Sequence, residues 1–167
     1  MSIADALLPE FDREMGVTRR LLERVPDGQF AWQPHPKSMT LGRLAEHLAE
    51  LPQWVGATVT QSSLDLAAAR RPDGYQSPAS CAAVLAMFDT NVAAARGVLT
   101  GRSDPELMAP WSLKRGEQTV FTMPKAGVLR AFVLNHIVHH RGQLSVYLRL
   151  HDVPLPSIYG PSADEQM

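Results

Sequence analysis

The stretch Asn135-His136-Ile137-Val138-His139-His140-Arg141-Gly142-Gln143 holds three of the chain's six histidines. It lies in a longer run, about Pro124 to His151, whose apolar residues recur at helical spacing. His136 and His140 are four residues apart. On a helix that spacing sets two side chains on one face, roughly 5–6 Å apart at Cβ, which suits two imidazoles sharing one metal ion. With His136 at zero and ~100° per residue, His140 falls at about 40°, Gln143 at about −20°, and Leu129 and Tyr147 at about 20°. The pair is therefore expected on the core stripe, with His139 on its margin at about −60°.

A third histidine has a similar setting. His47 sits in Leu41-Gly42-Arg43-Leu44-Ala45-Glu46-His47-Leu48-Ala49-Glu50-Leu51. With His47 at zero, Leu51 falls at about 40° and Trp54 at about −20°, so His47 also points inward. Each neutral imidazole brings one donor and one acceptor into the core. A shared metal would take the three acceptor nitrogens and leave each N–H for a carboxylate, carbonyl or water. The alternative is that each ring finds its own partner or reaches solvent. An i,i+4 pair with a third inward histidine favours the metal, because bundle cores are common metal sites. The pattern is not that of a zincin, since Ile137 stands where the motif's glutamate would be. Glu46, Glu50 and Gln143 lie near the stripe, where such residues are solvated or orient a ligand. Tyr147 reads as packed, with reach to a substrate as the lesser reading.

Outward from these two segments the chain is a series of long helices. The first is expected over 3–25, with Ile3, Leu7, Phe11, Met15, Leu22 and Val25 on one face and Pro26-Asp27-Gly28 as its stop. The second covers 40–69, kinked at Pro52, which lacks a backbone donor. The third covers 78–99, opened by Ser77-Pro78 as N-cap and first helical residue. The fourth covers 124–151. Between the last two, 111–121 reads as a β-hairpin around Gly116. The proline-bearing tail 153–167 is extended, with Ile158 and Tyr159 available to pack. The expected fold is all-α: a single-domain four-helix bundle with a short hairpin before the last helix.

Composition narrows the function classes. The formal net charge is −1, with no basic stripe, which argues against nucleic-acid binding. No uninterrupted apolar run reaches the ~18 residues of a membrane span, and the first residues lack the pattern of a secretory signal. A single cysteine excludes an internal disulfide and fits a cytoplasmic setting. Cys81 shares a helical stripe with Leu85, Phe88 and Val92 and reads as a buried thiol rather than a nucleophile.

The motifs resemble those of the DinB-like (DinB/YfiT) superfamily of metal-binding four-helix bundles. The likeness spans nearly the whole chain. It includes Trp32-Gln33-Pro34-His35-Pro36, the Leu41–Leu48 segment around His47, the Asn135–Leu144 segment, and the tail Val153–Ser162. It implies a divalent metal, zinc or nickel, on His47, His136 and His140, with His139 beside the site. It also implies a small-molecule substrate, thiol-dependent chemistry with a low-molecular-weight thiol, and a homodimer. Two functional expectations follow. One is a metal-dependent enzyme, a thiol transferase or hydrolase, in which three protein ligands leave a position open. The other is a non-catalytic bundle in which the metal only ties helices together or serves a stress-response interaction. For the dimer, the patch Ala131, Leu134, Val138 and Ser145, opposite the histidines, is the candidate surface. Metal binding is expected to weaken below about pH 6, where ordinary imidazoles protonate.

Overall fold

A computed structural model of the protein describes residues 1–68 and 78–166. Helix α1 spans Ile3–Leu22. Ser2 caps it, its hydroxyl accepting from the Asp5 amide while Asp5 accepts from Ser2 N–H, so two of the otherwise unpaired first-turn donors are satisfied. Leu7, Phe11, Met15 and Leu22 are buried along its inner face, as the periodicity predicts.

The second predicted helix is two helices, and it is shorter than expected. Helix α2 covers Leu41–Glu50 and α3 covers Gln53–Thr60. Pro52 does more than kink the run. Lacking an N–H, it cannot continue the ladder, and it becomes the cap residue of a new helix. Helix α3 stops at Thr60 because Gln61 turns to extended backbone. Ser62 and Ser63 compete for backbone hydrogen bonds, and Leu64 and Leu66 alternate as strand residues do. The result is a strand absent from the sequence reading, β1 (Ser63–Asp65). The predicted end of this helix, Ala69, lies outside the described residues.

Helix α4 covers Cys81–Leu99, and Ser80 is its cap, accepting from the Ala83 amide at 3.1 Å. The helix therefore begins three residues later than predicted. The predicted cap, Ser77, lies outside the described residues. By length and composition alone α4 could cross a bilayer. In the bundle its Arg96 pairs with Asp12, and Asp89 with Arg19, tying it to α1. A short helix α5, Asp104–Met108, follows.

The hairpin is present and slightly longer than predicted: β2 (Pro110–Arg115) pairs antiparallel with β3 (Gln118–Pro124). Gly116 supplies the left-handed residue of its turn, at φ 60°. Strand β1 adds to the other edge of β2 in parallel. Asp65 Oδ1 accepts from the Gly116 amide at 2.9 Å, fixing β1 to the hairpin turn. The sheet has its own small core of Trp111, Leu113 and Val128, joined to the bundle through Trp54.

The last predicted helix is one helical run with an irregular middle. Helix α6 (Lys125–Val128) leads into a π-turn over Leu129–Leu134, and α7 covers Asn135–Arg149. The Asn135 amide donates to the Arg130 carbonyl, five residues back. Of the patch expected to pair copies of the chain, Leu134 is buried in the protein's own core, Val138 and Ser145 are half-buried, and Ala131 is exposed.

Candidate metal centre

Helices α2 and α7 pack against each other and bring the three predicted histidines together. Thr40 fixes the start of α2, its hydroxyl accepting from the Arg43 amide. The long loop before it is docked by backbone bonds from Leu41 to the Trp32 carbonyl and from Gly42 to the Phe30 carbonyl. Gly42 lets the loop pack closely there, since a Cβ would stand 3.0 Å from the Phe30 side chain. His47 then falls in the last turn of α2.

The Nε2 atom of His136 lies 2.9 Å from that of His140 and 3.4 Å from that of His47. One nitrogen of each ring fits within a 4.8 Å cluster. Tetrahedral ligands at a Zn–N bond of 2.0–2.1 Å stand about 3.3 Å apart. The spacing therefore fits one small divalent ion held by three imidazoles.

The outer nitrogens support the same assignment. His140 Nδ1 donates to Gln143 Oε1 at 2.7 Å. With Nδ1 as its donor, His140 turns the lone pair of its Nε2 toward His136 Nε2, 2.9 Å away, as a metal ligand must. The backbone of Phe132, four residues back in the π-turn, faces His136. The third ring is held less tightly, with His47 Nδ1 3.9 Å from Glu50 Oε2. Glu50 itself accepts from Arg43 at 3.0 Å.

Burial keeps the rings neutral, as ligation requires. It pushes His47 down to about 4, with the nearby Arg43 charge acting in the same direction. Burial likewise pushes His140 down to about 4, opposed in part by the Gln143 hydrogen bond. His136 is lowered first by burial and then by His47.

The pair lies on the inward side of α7, as the helical wheel predicts, but at the margin of its core stripe. On α7 the deepest residues are Ile137, Leu144 and Leu148, at about 100°, 80° and 120° from His136. His136 and His140 lie along the edge of that stripe, facing α2. This places the centre at the rim of the bundle, beside open space. A cleft of about 500 Å³ adjoins it, sharing His47 as part of its wall.

The other singled-out residues fall elsewhere. His139 is exposed, its ring 4.8 Å from that of His140. His35 accepts from the Lys37 amide within its own loop. His151 and Tyr147 pack edge-on against Trp32, at 4.4 and 5.4 Å, so Tyr147 is a packing residue. Glu46 is buried and accepts from Arg43. The Cys81 thiol donates to the Leu22 carbonyl, and burial raises its pKa; both oppose a nucleophilic role.

Sequence reasoning missed Arg141. It is 1% exposed and bonds the Glu14 carboxylate at 2.7 Å, the Thr18 hydroxyl and the Tyr159 hydroxyl. Tyr159 in turn donates to Glu14. This network fixes α7 and the tail against α1, directly beside His140. The available signal was a charged residue at about 140° on the wheel, among apolar stripe residues.

Comparison with known proteins agrees with this architecture. The family model described as the DinB family matches residues 1–166. YrdA of Bacillus subtilis (strain 168) is 27% identical over 162 residues, spanning 96% of this chain and 90% of that protein. The crystal structure of a DinB-like protein from Bacillus cereus ATCC 10987 superposes with a TM-score of 0.72 at 23% identity, covering 93% of this chain and 97% of that one. That of YjoA, a DinB-like protein from Bacillus subtilis, gives 0.70 at 15% identity, covering 97% and 99%.

Proposed function

Since the chain belongs to the DinB family over residues 1–166, we propose that it is a divalent-metal-dependent enzyme that activates a thiol, or water, at the centre formed by His47, His136 and His140. The observation that carries this reading is the convergence of three Nε2 atoms, with His47 also lining a cleft of about 500 Å³. A divalent ion held by three neutral imidazoles would keep its full charge and lower the pKa of a thiol or water that reaches it. Nitrogen donors of this kind suit zinc and nickel alike.

The protein's own residues have distinct tasks. Gln143 holds the His140 ring with its Nε2 lone pair directed inward. Burial keeps the rings free of protons. Through His47 the centre borders the cleft from which a small substrate would approach.

The test is metal analysis of the purified protein, followed by a thiol-transfer assay with a panel of thiols and the electrophile monobromobimane. Near-stoichiometric metal is expected, with turnover lost on chelation and in His47→Ala. A protein that binds no metal, or one that holds metal and turns over neither thiol transfer nor ester hydrolysis, overturns the reading. A second reading draws on the donors coming from two different helices, with His140 only 8% exposed: the ion would tie α2 to α7 without chemistry. Its signature is a domain that melts when the metal is chelated.

A further inference from the structure

The walls of the cleft differ in character. Arg43, Glu50 and Gln53 bring polar groups to it, with Arg43 held by Glu46 and Glu50 at 3.1 and 3.0 Å. The apolar wall is built from Trp54 of α3 and from Leu64 and Leu66. Leu66 lies just past the end of β1, but its amide donates to the Lys114 carbonyl of β2 at 2.9 Å, which continues the strand alternation and puts 64 and 66 on one face. Both leucines and Trp54 pack against the sheet's core of Trp111, Leu113 and Val128, and all three line the cleft. All three side chains remain only half-buried. A concave apolar strip of this kind gains from receiving an apolar group. The volume of about 500 Å³ lies within the ~300–1,000 Å³ range of small-molecule sites.

We propose that this cleft binds a small amphipathic molecule, with a metal-coordinating head at the three-histidine centre and an apolar arm of about aryl size along Trp54, Leu64 and Leu66. The proposal rests on the reading of the centre as an open metal site. It adds that selectivity among substrates resides in the arm, on a wall supplied by α3 and by β1 with the residue that follows it, and is separate from the ligand histidines.

Hydroxamates of graded arm provide the probe: acetohydroxamate, benzohydroxamate and 3-phenylpropanohydroxamate, titrated calorimetrically into the zinc-loaded full-length protein. An apolar increment in a hydrophobic pocket is worth at least about tenfold, so the aryl compounds are expected to bind at least about tenfold more tightly than acetohydroxamate. Leu66→Ser, and independently Ala57→Leu, which fills the cleft from α3, should remove most of that preference. Both should leave metal stoichiometry and acetohydroxamate affinity unchanged. Two variants with opposite effects on volume guard against one that folds poorly. Equal affinity across the series, or a preference undiminished in both variants, overturns this proposal while the metal centre stands. A protein that holds zinc but binds none of the hydroxamates, or that holds no zinc, overturns both the proposal and the open-site reading beneath it.

Discussion

Gln143→Leu isolates the support of one ligand from the ligand itself. Gln143 is exposed, and its Oε1 accepts from His140 Nδ1 at 2.7 Å. The substitution leaves all three histidines in place and removes only that acceptor. His140 can then exchange tautomers and rotate, and the lone pair on its Nε2 is no longer committed to the centre. Losing such an outer partner costs 10–100-fold in metal affinity. Because the site of Gln143 is open, water can take over the Nδ1–H, so the lower end applies: about tenfold, or ~1.4 kcal/mol. Competition against a chromophoric chelator at fixed pH and ionic strength measures it. Gln143→Glu keeps an acceptor, now a charged and stronger one, and should retain or exceed wild-type affinity. Thermal stability of the metal-free protein should move by less than ~0.5 kcal/mol, as for other surface changes. Wild-type metal affinity in Gln143→Leu would refute the argument that the His140 tautomer is set by this bond. So would an equal loss in Gln143→Glu.

Other consequences can be checked alongside. Alanine at His47, His136 or His140 should each reduce metal retention sharply, while His139→Ala and His35→Ala keep most of it, as read by metal analysis after gel filtration; full occupancy in His136→Ala would remove it from the ligand set. Proton competition should set in later than for ordinary imidazoles. With His47 and His140 near 4 rather than 6.5, metal affinity should hold down to about pH 5.5 and fall below that, and a steep loss already between pH 7 and 6 would contradict the lowered values. The sign for folding is opposite to that of a salt-bridged histidine. The unfolded rings protonate first, so the metal-free protein should lose stability as pH drops from 6.5 toward 4, and denaturant melts at pH 7, 5.5 and 4.5 should show it. Glu14→Ala leaves Arg141 buried without its carboxylate and should cost about 3–5 kcal/mol, whereas Tyr159→Phe should cost about 1 kcal/mol; equal small effects would place that network outside the folding core. If the chain is a homodimer through the outer face of α7, Val138→Asp should shift sedimentation to monomer with metal still bound, and a wild type that is monomeric at tens of micromolar rejects the dimer.

Most of the bundle was legible because its evidence is local. Buried positions on α1 repeat at helical spacing from Leu7 to Leu22, and two of the ligands are a four-residue pair within one helix. What escaped the sequence depends on contacts between distant segments. Ser63–Asp65 reads as a strand only once β2 is available to pair with it; alone, three residues after a helix carry no pattern. Arg141 is tolerable in the core only because Glu14, Thr18 and Tyr159 meet it there, and these lie 127, 123 and 18 residues away along the chain.

The π-turn explains why the core stripe of α7 is offset from the histidine pair. A regular helix assigns Leu129 to about 20°, on the side of His136. Leu129 is 3% exposed, as expected, but in the same core as Ile137 and Leu148. The bond from Asn135 to Arg130 spans one residue more than an α-turn. It moves everything before it by roughly 100°, bringing Leu129 near 120°, in line with Leu148. The extra residue thus lets the first half of the run bury its apolar side while the second half keeps His136 and His140 at the rim, facing His47. A straight helix with this sequence could satisfy the core or the metal centre, but not both. Irregular helical turns of this kind recur at functional sites. Here the turn sets the rotation of the ligand pair against the first half of the run.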